Sequence, residues 1–112
     1  MRGSVITCGV PTSLPVVVLK FGSSVLSPPA GYRRAAAEVA REVENGHRVV
    51  AVVSAMGDTT DLLLETAQSL TATPPAALLG QLLATGEDAS VALLSIALTK
   101  EGVNVLPLPT ER

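Results

Sequence analysis

The sequence predicts an α/β protein built on a mainly parallel sheet, with elements in the order β-α-β-α-α-α-β. Three observations lead there. Val16–Leu19 and Arg48–Ser54 are short, continuous, β-branched runs, the pattern of strands buried on both faces. Between them lies a segment of helical spacing, so strand, crossover helix and strand make a βαβ unit. Beyond it the chain is rich in Ala and Leu up to a last strand-like run at Val103–Leu108.

Residues 1–15 hold Gly3, Gly9, Pro11 and Pro15 with no sustained periodicity and are expected to form a loose leader, with 16–112 as the folded unit. The first strand, Val16–Leu19, runs into Lys20 and a Gly22-Ser23-Ser24 turn. Pro28 and Pro29 break the chain, and a helix is expected from Gly31 to Asn45. Tyr32, Ala36, Val39 and Val43 fall on one face of it, with Arg33, Arg34, Glu38, Arg41 and Glu42 elsewhere. Gly46 sits where a left-handed helix cap belongs, and His47 beside it reads as a surface histidine near a helix C-terminus. After the second strand, Asp58, Thr59 and Thr60 are helix-start residues ahead of Leu62–Leu70. Pro74 and Pro75 open another helix reaching Leu83. Thr85-Gly86-Glu87-Asp88 reads as a polar break, and Ala89–Lys100 as a further helix capped by Gly102.

Composition bounds the function. A chain of 112 residues makes one domain, and 47% hydrophobic with 16% charged residues describes a globular protein. The net charge of −2 and the widely separated aromatics Phe21 and Tyr32 offer no basic groove or stacking platform, so nucleic acid is not an expected partner. The longest apolar runs, Val49–Met56 and Val91–Leu98, are too short to span a bilayer. A lone Cys8 excludes an internal disulfide and a cysteine-based metal site, fits a cytoplasmic compartment, and leaves no metal ligand assigned. Three strands buried on both faces would leave long apolar edges uncovered. The sheet is therefore expected to be completed by other subunits or, preferably, by the rest of a larger domain.

Each strand–helix junction carries polar residues at the carboxyl end of a strand, where ligands bind in open α/β sheets. The first supplies Lys20, Gly22, Ser23 and Ser24: a mobile cation beside a turn that offers backbone N–H groups and hydroxyls to an anion. The second supplies Ser54, Gly57, Thr59 and Thr60, with Asp58 and Asp61 beside them. Thr85-Gly86-Glu87 could fold over the same edge and bring a carboxylate for an ammonium or hydroxyl group. Plain turn and N-cap roles account for several of these residues equally well. The pattern is neither a Walker A loop, since Lys20 precedes its glycine, nor a dinucleotide fingerprint.

In this order the segments Lys20-Phe21-Gly22-Ser23-Ser24, Val53-Ser54-Ala55-Met56-Gly57-Asp58-Thr59-Thr60-Asp61 and Thr85-Gly86-Glu87 resemble the aspartate kinases of the amino acid kinase family. The resemblance spans 16–108 and implies part of a three-layer αβα fold. It also implies transfer of the γ-phosphoryl of ATP, with Mg2+, to the β-carboxylate of L-aspartate, the first step towards lysine, threonine and methionine. By position, Lys20 would neutralise charge on the transferring phosphoryl, and Gly22, Ser23 and Ser24 would meet the phosphates. Ser54, Thr60 and Glu87 would hold aspartate, Glu87 facing its ammonium group. Ser23 stands where the family usually has a second glycine. The Gly-rich nucleotide-binding segment of such kinases has no counterpart up to Arg112. The resemblance therefore implies most of an aspartate pocket and little of an ATP site, with little or no turnover by this chain alone and a homo-oligomer or the kinase remainder as partner. Two alternatives share the same residues: a non-catalytic remnant that binds a small molecule or partner, and a different amino acid kinase.

Overall fold

The computed structural model describes residues 4–8 and 15–108. Seven elements follow one another: β1 (Ser4–Cys8), β2 (Val16–Phe21), α1 (Ala30–Glu44), β3 (Arg48–Val53), α2 (Thr59–Leu70), α3 (Ala76–Lys100) and β4 (Val105–Pro107). The fold is mixed α/β, as expected. Its sheet has the order β2-β3-β1-β4. β2 and β3 pair in parallel from Val16↔Arg48 to Phe21↔Val53, while β1 runs antiparallel to both β3 and β4. Three of the four strands thus share one direction.

The βαβ unit forms where the residue pattern places it. α1 buries Tyr32, Ala35, Ala36, Val39 and Ala40 against the sheet and leaves Arg33, Arg34 and Arg41 in solvent. It ends at Gly46, whose φ of 88° is the left-handed conformation that glycine adopts without a Cβ penalty. His47 follows, half-buried, with Nδ1 3.1 Å from Glu42 Oε1.

Three expectations are corrected. The loose leader fails for Ser4–Cys8, which form a strand in the middle of the sheet, with Ile6 and Cys8 alternating into the core. Residues 1–3 and 9–14 lie outside the described residues. The polar break at Thr85–Asp88 is also absent: α3 runs unbroken for 25 residues. A glycine inside a helix costs only about 0.5–1 kcal/mol relative to alanine, and the buried positions Ala84, Glu87, Val91, Leu94 and Leu98 keep one helical face in register straight through it. Thr85 Oγ1 donates back to the Leu82 carbonyl at 2.6 Å. Fused in this way, α3 is long and apolar enough to cross a membrane by length and composition, unlike the short runs read from the sequence. Its buried face packs in the domain core against the sheet and α1.

Nor are the strands buried on both faces. Ile6, Cys8, Phe21, Val49, Ala51 and Val53 meet α1 and α3. On the opposite face Val16, Val18 and Leu106 are exposed and Val50 and Val52 half-buried. Among the described residues no helix covers that side, so two of three αβα layers are in place. Tyr32 Oη and Ser90 Oγ share a buried hydrogen bond of 2.7 Å, tying α1 to α3 beneath the sheet.

Candidate functional site

The loops that leave the two parallel strands are laced together. Ser54 N–H donates to the Phe21 carbonyl at 3.1 Å, extending the parallel register one step past the strand ends. Three residues on, Gly57 N–H donates to the Ser23 carbonyl at 3.2 Å. The Gly22 carbonyl accepts from Val25 N–H at 3.0 Å and Leu26 N–H at 3.2 Å, closing the turn after β2. α2 then begins at Thr59, where Leu62 N–H bonds the Asp58 carbonyl at 2.9 Å. The helix start therefore lies three residues ahead of the apolar run that announced it.

These loops and α3 enclose a cavity of about 300 Å³ lined by Ser23, Ser54, Ala55, Gly57, Thr60, Asp61, Leu83 and Glu87. Four of the candidate residues, Ser23, Ser54, Thr60 and Glu87, thus meet in one place although they span 65 positions of sequence, from 23 to 87. Ser54 and Glu87 are buried, with 7% and 6% of their surface accessible. The donor set is three hydroxyls, the acceptor set those hydroxyls and two carboxylates, and Thr60 and Asp61 lie in the first turn of α2, where backbone N–H groups have no carbonyl partner within the helix. Such a lining suits a small zwitterion: carboxylates for an ammonium group, hydroxyls and helix amides for a carboxylate.

Lys20, Gly22 and Ser24 do not line this cavity. Lys20, the last residue but one of β2, lies on the same exposed face as Val16 and Val18. Ser24 is exposed in the turn. At Gly22 nothing lies within 4 Å of where a Cβ would be, so a ligand has open access to the backbone there. Asp61 lines the cavity although the sequence reading left it without a role. Its spacing of one residue after Thr60, in the first turn of a helix, is the signal that could have found it. Among the described residues no group of three or more His, Cys, Asp or Glu side chains forms a metal cage. A separate, more apolar groove of about 380 Å³ lies between α1 and α3, lined in part by Tyr32, Ala36, Leu93 and Ile96. It has no contact with the strand ends.

The comparisons with known proteins agree with this architecture. The amino acid kinase family model matches residues 15–112, so the chain belongs to the amino acid kinase family. It is 38% identical over 91 residues to an aspartokinase of Bacillus sp. (strain MGA3), covering 81% of this chain and 22% of that protein. An aspartokinase of Mycobacterium tuberculosis (strain ATCC 25618 / H37Rv) is 41% identical over 91 residues, with the same coverage. The crystal structure of aspartate kinase from Synechocystis superposes with a TM-score of 0.74 at 32% identity, over 83% of this chain and 19% of that one. The chain thus spans about a fifth of the length of the relatives it matches.

Proposed function

We propose that the cavity between the β2 and β3 loops and α3 binds L-aspartate, as the amino-acid-binding part, residues 16–112, of an aspartate kinase-type phosphotransferase. The convergence of Ser23, Ser54, Thr60 and Glu87 on one cavity at the carboxyl ends of parallel strands carries this reading. In it the Glu87 carboxylate faces the substrate ammonium, and Ser54 and Thr60 donate to a substrate carboxylate. The β-carboxylate is thereby presented towards the Gly22–Ser24 turn. The reaction joins a β-carboxylate oxygen to the γ-phosphorus of ATP and breaks the bond from that phosphorus to the β–γ bridging oxygen, giving 4-phospho-L-aspartate and ADP. Lys20 supplies positive charge to the transferring phosphoryl, and open backbone at Gly22 lets the phosphates approach. Phosphoryl transfer asks for such positioning and charge stabilisation more than for covalent help. Mg2+ would enter such a site on the nucleotide phosphates, with few protein ligands. The reading includes a cytoplasmic setting and a biosynthetic role towards lysine, threonine and methionine. It also includes association, with a second copy or with the remainder of a kinase domain, over the sheet face of Val16 and Val18.

The test is an L-aspartate titration of the isotope-labelled chain followed by amide resonances. Shifts confined to Ser23, Ser54, Thr60, Asp61 and Glu87 are expected. Shifts centred on Leu93 and Ile96 would move the site to the α1–α3 groove and overturn the assignment.

A further inference from the structure

Gly86 stands at an unfavourable place for its residue type, inside a long helix, where alanine is ordinarily preferred. The reason is the turn packed directly against it. A Cβ on Gly86 would lie 3.0 Å from Ala55 Cβ and 3.4 Å from Thr59 Cγ2, with Leu63 Cδ1 at 3.9 Å. Carbon atoms in ordinary contact sit about 3.5–4.0 Å apart, so a methyl group here would push α3 off the turn by several tenths of an ångström. Ala55 is buried between Ser54 and Gly57, both cavity residues, and Thr59 opens α2 just before Thr60. Glu87 is the next residue along α3.

From this contact we infer that Gly86 is a positioning residue: its bare Cα sets the spacing of α3 from the 54–60 turn, and so the reach of the Glu87 carboxylate across the cavity to the ligand of Ser54 and Thr60. The inference rests on the aspartate-site reading above. Polar contacts lose strength over a few tenths of an ångström, and productive sites must be held within about 0.5 Å of their geometry, a margin that a shift of this size uses up. A side chain at 86 therefore weakens binding without touching the ligand, and removing the opposing methyl at Ala55 restores it.

The experiment measures L-aspartate affinity by calorimetry for the chain itself, Gly86→Ala, Ala55→Gly and the double variant, with far-UV circular dichroism on each. Gly86→Ala is expected to keep its helical signal and bind at least tenfold more weakly, and the double variant to bind within threefold of the parent. Unchanged affinity in Gly86→Ala overturns the inference, as does a loss that Ala55→Gly leaves unrepaired. If Gly86→Ala does not fold, the double variant decides: parental affinity supports the inference, and weak binding by a folded double variant overturns it. If the parent chain itself binds no L-aspartate, the functional reading fails separately. The positioning role is then read from the Ser54, Thr60 and Glu87 amide resonances, displaced in Gly86→Ala and returned in the double variant. Their failure to move overturns it.

Discussion

Gly31→Ala is the substitution whose cost the structure sets most tightly. Gly31 lies buried in the first turn of α1, directly against the turn that follows β2. An added Cβ would sit 2.1 Å from the Val25 carbonyl oxygen and 3.1 Å from Leu26 Cα. Carbon–oxygen contacts close to about 3.3 Å at their shortest, so roughly 1.2 Å must be opened. The obstacle is backbone, and it is held. Val25 and Leu26 N–H both donate to the Gly22 carbonyl, Gly31 N–H donates to Ser27 at 2.7 Å, and the Leu26 side chain is fully buried. Overpacking of this kind costs about 1–3 kcal/mol, and more where backbone must move. The gain from replacing a helical glycine offsets about 0.5–1 kcal/mol of it. Because the obstacle is backbone, the upper end of that cost applies and a net loss of about 2 kcal/mol remains, a fall in melting temperature of about 8–16 °C for a domain of this size. Thermal unfolding followed by far-UV circular dichroism reads it, with Gly22→Ala as control, because open space surrounds Gly22 and its melting point is expected within 3 °C of the parent. A Gly31→Ala melting point equally close to the parent would refute the steric argument.

Two further outcomes follow from buried groups. Tyr32→Phe removes one partner of the Tyr32–Ser90 bond and leaves the fully buried Ser90 hydroxyl without it. A loss of about 1–3 kcal/mol in urea unfolding is expected, with part regained in Tyr32→Phe/Ser90→Ala. Additive losses would show that the two side chains are not coupled. Burial pushes the Cys8 thiol up from 9.0 to about 11. A raised acid contributes stability that is complete below the unfolded value and lost as pH rises through the folded one. Unfolding free energy is therefore expected to decline between about pH 9 and pH 11, and to decline less in Cys8→Ala. The same slope in both proteins would contradict burial as the cause.

Much of this fold was legible in local pattern. The β2–α1–β3 unit is announced by its β-branched runs, by the Pro28-Pro29 break and by Gly46 at the helix end. What escaped depends on partners distant in the chain. β1 is five residues long, and only its pairing with Val49–Val53, over forty positions away, makes Ile6 and Cys8 core residues. α3 hides its continuity because Glu87 occupies a core-facing position, so the apolar spacing skips a beat where the chain also carries a glycine. The half-open sheet was missed because Val16 and Val18 have the composition of buried residues whether or not anything covers them. Candidate site residues were legible in part: Ser23 and Ser54 lie just past strand ends and meet Thr60 and Glu87 at one cavity, whereas Lys20 and Ser24 stay outside it. The Gly86–Ala55 contact could not be read, since nothing local distinguishes a helix-breaking glycine from one that makes room for a neighbour.

The central claim is that Glu87 holds the ammonium group of a bound aspartate, and one calorimetric comparison tests it. L-Aspartate and N-acetyl-L-aspartate, which lacks the ammonium charge, are titrated into the chain and into Glu87→Gln. The account predicts that the chain binds L-aspartate at least tenfold more tightly than the acetylated form, and that Glu87→Gln loses this preference. Equal affinity for the two ligands, or a preference that survives in Glu87→Gln, would contradict it.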